Sequence, residues 1–65
     1  MEATKKPVAK VIGQDGNVFN LVGICAKALR GANLTKEATE MTARVFDSDG
    51  YSEALRIMGE YCELK

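Results

Sequence analysis

From Val18 to Leu29 the apolar residues Val18, Leu21, Val22, Cys25 and Leu29 follow an i, i+3, i+4, i+7, i+11 series, which a helix turns to one side. Nothing else in the chain restricts its fold as strongly. At 100° per residue, Phe19, Ala26 and Ala28 widen the apolar arc to about half of the circumference, more than the usual core-facing stripe. Only Asn20, Lys27 and Arg30 are clearly polar. In a chain of 65 residues such a helix needs cover on two sides, from its own domain and from something beyond it. Asn17 or Asp15 is placed to cap its first amides, and Gly31 or Asn33 to close its last turn in the left-handed conformation.

The helix is entered from a segment of different period. "VAKVI", Val8 to Ile12, is short and β-branched, so it reads as an edge strand with Val8, Lys10 and Ile12 on one face and Ala9 and Val11 on the other. Residues 1–7, polar and ending in Pro7, read as a flexible arm, and residues 8–65 as one small domain.

Two further helices follow. Leu34, Ala38, Met41 and Val45 make the inward stripe of the second, with Thr35 as its expected N-cap, Glu37 in its first turn, and Glu40 and Arg44 as an i, i+4 pair on a solvated face. "DSDG" breaks the chain, and a helical period resumes at Tyr51, Ala54, Leu55, Met58 and Tyr61 or Cys62, with Ser48 and Asp49 as expected caps. In "YCELK" the alternation of Cys62 and Leu64 about Glu63, after Gly59, favours a terminal strand over a helix tail. It is expected to lie antiparallel to "VAKVI", with Glu63 near Lys6 or Lys10. The fold class is then α+β and mostly helical, three helices packed on a two-stranded antiparallel ribbon formed by the termini, β-α-α-α-β.

A domain of this size has little margin, so a staple is worth seeking. Cys25 and Cys62 both lie among apolar residues and read as free, buried thiols rather than a disulfide. Without histidine or a CxxC pair, no metal or other cofactor is expected. Another copy of the chain remains as the stabilising partner. The start lacks the apolar core of a signal peptide, and no run approaches the roughly 20 apolar residues of a membrane span, so the chain reads as soluble and cytoplasmic.

Chemistry has few footholds. Gly13 and Gly16 stand three apart before a helix, as in a phosphate-cradling loop, yet the third glycine of a dinucleotide fingerprint and the lysine of a triphosphate loop are missing and Asp15 would repel an anion. A strand-to-helix corner explains them better. Aligning Gly50 with the glycine of a calcium loop puts Val45 and Arg56 where carboxylates belong. The cysteines have apolar neighbours and no histidine base, so an enzyme is not expected. Nine basic and nine acidic side chains cancel, which removes the global field that draws nucleic acid. Lys5, Lys6 and Lys10 cluster only loosely, and Phe19, Phe46, Tyr51 and Tyr61 fall on or beside the apolar stripes, where core packing accounts for them.

Gly23 and Gly59 each cost about 1 kcal/mol relative to alanine inside a helix, so a compensating role, most simply a close-approaching neighbour, is expected at one of them. With the wide apolar arc, Phe19, Gly23 and Ala26 are the candidate self-association residues. These features predict a non-enzymatic accessory protein that forms a homodimer and binds a protein partner. The alternative from another class is a phosphate-bearing small ligand or nucleotide held by symmetric copies of Asn17, Asn20, Lys27 and Arg30.

"VIGQDGNVFNLVGICAKALRGANLTKEA", followed after a turn by "YSEALRIMGEYCEL", resembles a group of small uncharacterised proteins of bacteria, their phages and mobile elements. The shared pattern is a short strand, D-G-N, an aromatic two residues on, a small-residue helix ending in A-L-[RK], a T/S-K-E helix start and a terminal aromatic-plus-strand segment. Asp15, Gly16, Asn17, Phe19, Gly23, Ala28, Leu29, Arg30, Thr35, Lys36, Glu37 and Tyr51 match it, and Tyr61 stands where tryptophan is common. The resemblance implies a prokaryotic or phage setting and a repeated fold, with no activity attached.

Overall fold

A computed structural model describes residues 6–65; the larger part of the expected arm, residues 1–5 with Lys5, lies outside the described residues. Strand β1 (Val8–Ala9) leads to helices α1 (Val18–Gly31), α2 (Thr35–Phe46) and α3 (Tyr51–Tyr61), and the chain ends in strand β2 (Glu63–Leu64). The three helices and the terminal strand are those expected, but the ribbon is parallel rather than antiparallel, with Val8 opposite Glu63 and Ala9 opposite Leu64.

The route of the chain explains the correction. Lys6 Nζ donates to the Gly59 carbonyl at 2.9 Å, and Glu63 N donates to the Pro7 carbonyl at 2.9 Å, so α3 delivers the chain to the start of β1. From there β2 can only run alongside β1 in the same direction. Lys65 N then donates to Ala9 O and Ile12 N to Lys65 O, both at 2.9 Å. A parallel pair needs a long crossover, which the three helices provide. Glu63 therefore faces Val8, and its ion-pair partner at 3.3 Å is Lys65 rather than Lys6 or Lys10. Within "VAKVI" the alternation holds: Ala9 is buried and Val11 half-buried, while Val8, Lys10 and Ile12 are exposed.

Leu21, Val22, Cys25, Ala26 and Leu29 of α1 meet Ala38, Met41 and Val45 of α2, Ala54, Ile57 and Met58 of α3, and Ala9 and Cys62. Among the described residues no polar or charged side chain is buried. Hydrophobic burial is the main thing that seals the interior, with sulfur-bearing Cys25, Cys62, Met41 and Met58 filling its centre beside Leu29.

The α1–α2 corner shows why local signals sometimes fail. Asn33 takes φ 64, Leu34 N donates to Leu29 O at 2.8 Å and Asn33 N to Arg30 O at 3.0 Å, which together form a Schellman closure. Leu34 belongs to that closure and also stands at the N-cap of α2, its carbonyl accepting from Ala38 N at 2.9 Å. Thr35 is thereby displaced into the first turn and is not the N-cap expected. At α3 the N-cap is Gly50 rather than Ser48 or Asp49; the Ser48 hydroxyl donates backwards to Val45 O at 2.6 Å.

Arg44 and Glu40 are both exposed, as expected, but Arg44 does not pair with Glu40. It crosses to α3, donating to Glu60 Oε1 at 2.8 Å and to the Tyr61 hydroxyl at 3.1 Å, and the Tyr61 hydroxyl donates to Glu40 Oε1 at 2.9 Å. The Arg44 guanidinium holds the Glu60 carboxyl below its ordinary pKa, with Arg56 assisting. This network is exposed, so its contribution to stability is small.

Candidate functional site

Three helix ends converge beside the "DGN" loop. The first turn of α1 brings Phe19, the last residue of α2 is Phe46, and the first residue of α3 is Tyr51. Phe19 and Phe46 are tilted against each other with ring centroids 5.6 Å apart. With Val18, Val45, Ser48, Gly50 and Ala54 they line one open depression of about 280 Å³. Phe19, Phe46 and Tyr51 are nevertheless 66%, 60% and 50% exposed. The core role expected for these three aromatics is thus overturned, and only Tyr61 is half-buried. Phe19 and Phe46 lie roughly 90–110° round from the centres of their helices' buried stripes, and all three rings stand at helix ends, where the core stops. The sequence does hold a trace of this, since Phe46 and Tyr51 directly flank "DSDG".

Tyr51 pins the loop, its hydroxyl donating to Gly16 O at 2.7 Å. Within the loop Asp15 Oδ1 accepts from Asn17 N at 3.0 Å, Asn17 Oδ1 accepts from Phe19 N at 2.8 Å, and Asn20 Nδ2 donates to Asp15 O at 2.9 Å. Amides that an anion would need are taken by the chain's own side chains, and the Asp15 carboxylate sits at the positive end of α1. Gly13, at φ 88, makes the turn closed by Gln14 N donating to Val11 O at 3.2 Å. The two glycines belong to a strand-to-helix corner.

Of the candidate ligand residues, Asn17 and Asn20 are engaged in shaping that corner. Lys27 and Arg30 are exposed farther along α1; at 1.5 Å per residue, Arg30 stands about 20 Å from Asn17 along the axis, so the four do not converge within one chain. Lys27 instead borders a shallow depression with Val8, Lys10 and Gln14. Because Asn17 is a cap, Asn17→Ala should cost about 1 kcal/mol in urea denaturation, whereas Asn17→Asp should cost little. An unchanged midpoint for Asn17→Ala would dismiss the capping role.

The candidate self-association residues separate. Phe19 and Gly23 are exposed, and no atom outside the local helix lies within 4 Å of where a Gly23 Cβ would stand. Ala26 is buried at 4% exposure in its own core and offers nothing to a partner.

Electrostatics mark the aromatic end. The segments that build it, residues 11–26 and 45–55, carry Asp15, Asp47, Asp49 and Glu53 and no lysine or arginine. The lining of the groove is mostly apolar, and Asp47 and Asp49 alternate in sequence with its lining residues Phe46, Ser48 and Gly50.

The cysteines are not poised for nucleophilic chemistry. Both are free and buried, and the Cys62 thiol donates to the Cys25 carbonyl at 3.7 Å. Burial pushes the Cys25 thiol up to about 12, with the neighbouring Cys62 adding to the rise, and burial also raises Cys62. An activated thiol is shifted in the opposite direction. Among the described residues no group of three or more Cys, Asp or Glu is gathered to hold a metal ion, and no helix is long and apolar enough to cross a membrane.

No protein-family model matches this sequence, and no curated protein and no solved structure matches it either.

Proposed function

We propose that this chain is a non-enzymatic interaction protein that associates with itself and works by binding other protein surfaces, with the aromatic groove as its adhesive part. The observation that carries this reading is the gathering of Phe19, Phe46 and Tyr51, three of the chain's four aromatic residues, at one exposed site. Scattered exposed apolar residues need no explanation, but adjoining aromatics left in water do. Aromatic anchors also dominate the energetics of protein interfaces.

Competing classes fit the groove less well. It is an open depression rather than an enclosed pocket, and its lining offers few polar groups to fix a small ligand. Its two hydroxyls, on Ser48 and Tyr51, both donate to backbone carbonyls, with no base beside them. An acidic rim opposes the phosphates of nucleic acid.

Sedimentation equilibrium across a range of concentrations tests the proposal. The wild-type chain is expected to dimerise, and Phe19→Ala with Phe46→Ala to weaken the dimer by roughly 10- to 100-fold, as loss of aromatic anchors does. Both side chains are largely exposed, so thermal melts should confirm an intact monomer. A wild-type chain that stays monomeric at every concentration removes self-association.

A further inference from the structure

We infer that two copies of the chain pair through α1 in antiparallel fashion, crossing at Gly23, so that Lys27 and Arg30 of each copy lie against the acidic aromatic groove of the other. This rests on the self-association proposed above and adds its geometry.

Four observations support it. First, at 100° per residue Phe19, Arg30, Gly23, Lys27 and Asn20 occupy an arc of about 100° on α1, with Gly23 near its middle, and all five are exposed. This is the face of α1 that its own domain leaves uncovered. Second, Gly23 lowers helix propensity by about 1 kcal/mol, yet no neighbour in its own domain uses the space where its Cβ would stand. A second α1 crossing there would use it.

Third, charge is segregated along the helix. Residues 16–36 contain Lys27, Arg30 and Lys36 and no carboxylate, whereas the groove at the other end of α1 has no cation in its lining, Asp47 and Asp49 alternate in sequence with its lining residues Phe46, Ser48 and Gly50, Glu53 adjoins Ala54, and Asp15 lies in the loop that Tyr51 holds. A parallel pairing would set acidic rim on acidic rim. A head-to-tail pairing would satisfy one groove and leave another open, so assembly would run on into a filament. The antiparallel two-fold arrangement satisfies both ends at once and closes. Fourth, the register agrees. With Gly23 on the two-fold axis, position i faces position 46 minus i, so Lys27 meets Phe19 and Arg30 meets Gly16 of the other copy. Cations are thereby brought over the Phe19 and Phe46 rings and beside the rim, where cation–π attraction adds to ion pairing.

Single cysteines introduced on the exposed face of α1 read the geometry directly, because Cys25 and Cys62 are buried in the fold. Under oxidised glutathione, Gly23→Cys should give a covalent dimer on a non-reducing gel in high yield. Gly31→Cys should not: it lies about 12 Å farther along the axis, which sets the two thiols of an antiparallel pair about 24 Å apart, far outside disulfide reach. Charge reversal gives a second measure. Lys27→Glu with Arg30→Glu, and separately Asp47→Lys with Glu53→Lys, should each sediment as monomers, and an equal mixture of the two variants should recover a heterodimer. Comparable crosslinking at Gly31→Cys and Gly23→Cys would indicate a parallel pair and overturn the inference. If the wild type is dimeric but Gly23→Cys fails to crosslink, the contact lies elsewhere, and self-association survives without this geometry. A monomeric wild type removes both.

Discussion

Leu29→Ala is expected to cost about 3–5 kcal/mol and to leave a large share of the molecules unfolded at 25 °C. Leu29 is 1% exposed and among the largest fully buried side chains, standing beside Met41, Met58, Cys25 and Cys62 at the centre of the only core the described residues form. Its carbonyl also receives Leu34 N in the closure of α1, so the backbone there has little freedom to sink into a vacated space. A domain of this length has a total stability of roughly 3–10 kcal/mol, so a single cavity of this kind can consume most of it. In thermal terms the loss corresponds to a fall in Tm of roughly 12–40 °C for so small a domain. Urea denaturation followed by circular dichroism measures it, and Phe46→Ala, which removes a side chain that is mostly in water, serves as the contrast, with an expected cost below about 1 kcal/mol. Equal losses at Leu29 and Phe46 would mean that the interior is placed wrongly.

Alkaline pH should destabilise the protein through its buried thiols. The Cys25 pKa rises on folding from its ordinary 9.0 to about 12, so the folded state retains this proton where the unfolded chain releases it. The stability tied to the protonated thiol is therefore complete below about pH 9 and is lost as pH climbs towards 12. Each thiol ionised only in the unfolded chain steepens the decline by about 1.4 kcal/mol per pH unit, and Cys62 is shifted in the same direction. Urea midpoints between pH 7 and 11 should fall faster for the wild type than for Cys25→Ala, which starts less stable because of its small cavity but has no thiol at that position to ionise. Parallel curves for the two proteins would show that the Cys25 proton plays no part in alkaline unfolding.

The Asp15–Asn17 corner was legible because its hydrogen bonds join residues two to five positions apart, within the reach of cap and turn chemistry. The aromatic groove was not. Phe19, Phe46 and Tyr51 come from three separate helix ends, and nothing in the residues around any one of them states that the other two arrive at the same place. Arg44 gives the same lesson: its local partner Glu40 satisfies an i, i+4 rule, but a longer reach to Glu60 gains a two-pronged contact with a carboxylate that the sequence places 16 residues away. At Thr35 the local rule lost for a different reason, because the preceding helix had already claimed Leu34 for its own closure.

Periodicity alone determined that there are three helices and most of the residues that face inward on them, narrowed the two ends of the first helix to Asn17 or Asp15 and to Gly31 or Asn33, and showed that Cys62 to Leu64 leaves the helical path. These depend on side-chain spacing and backbone preference over a few residues, which the chain carries wherever it goes. Only the tertiary structure decided that the terminal strands run parallel, that Ala26 is buried while Phe19 is not, and that one end of the molecule is aromatic and acidic. Those outcomes depend on where α3 delivers the chain and on how far the shared core extends along each axis, and both follow from the helices packing together rather than from any one of them.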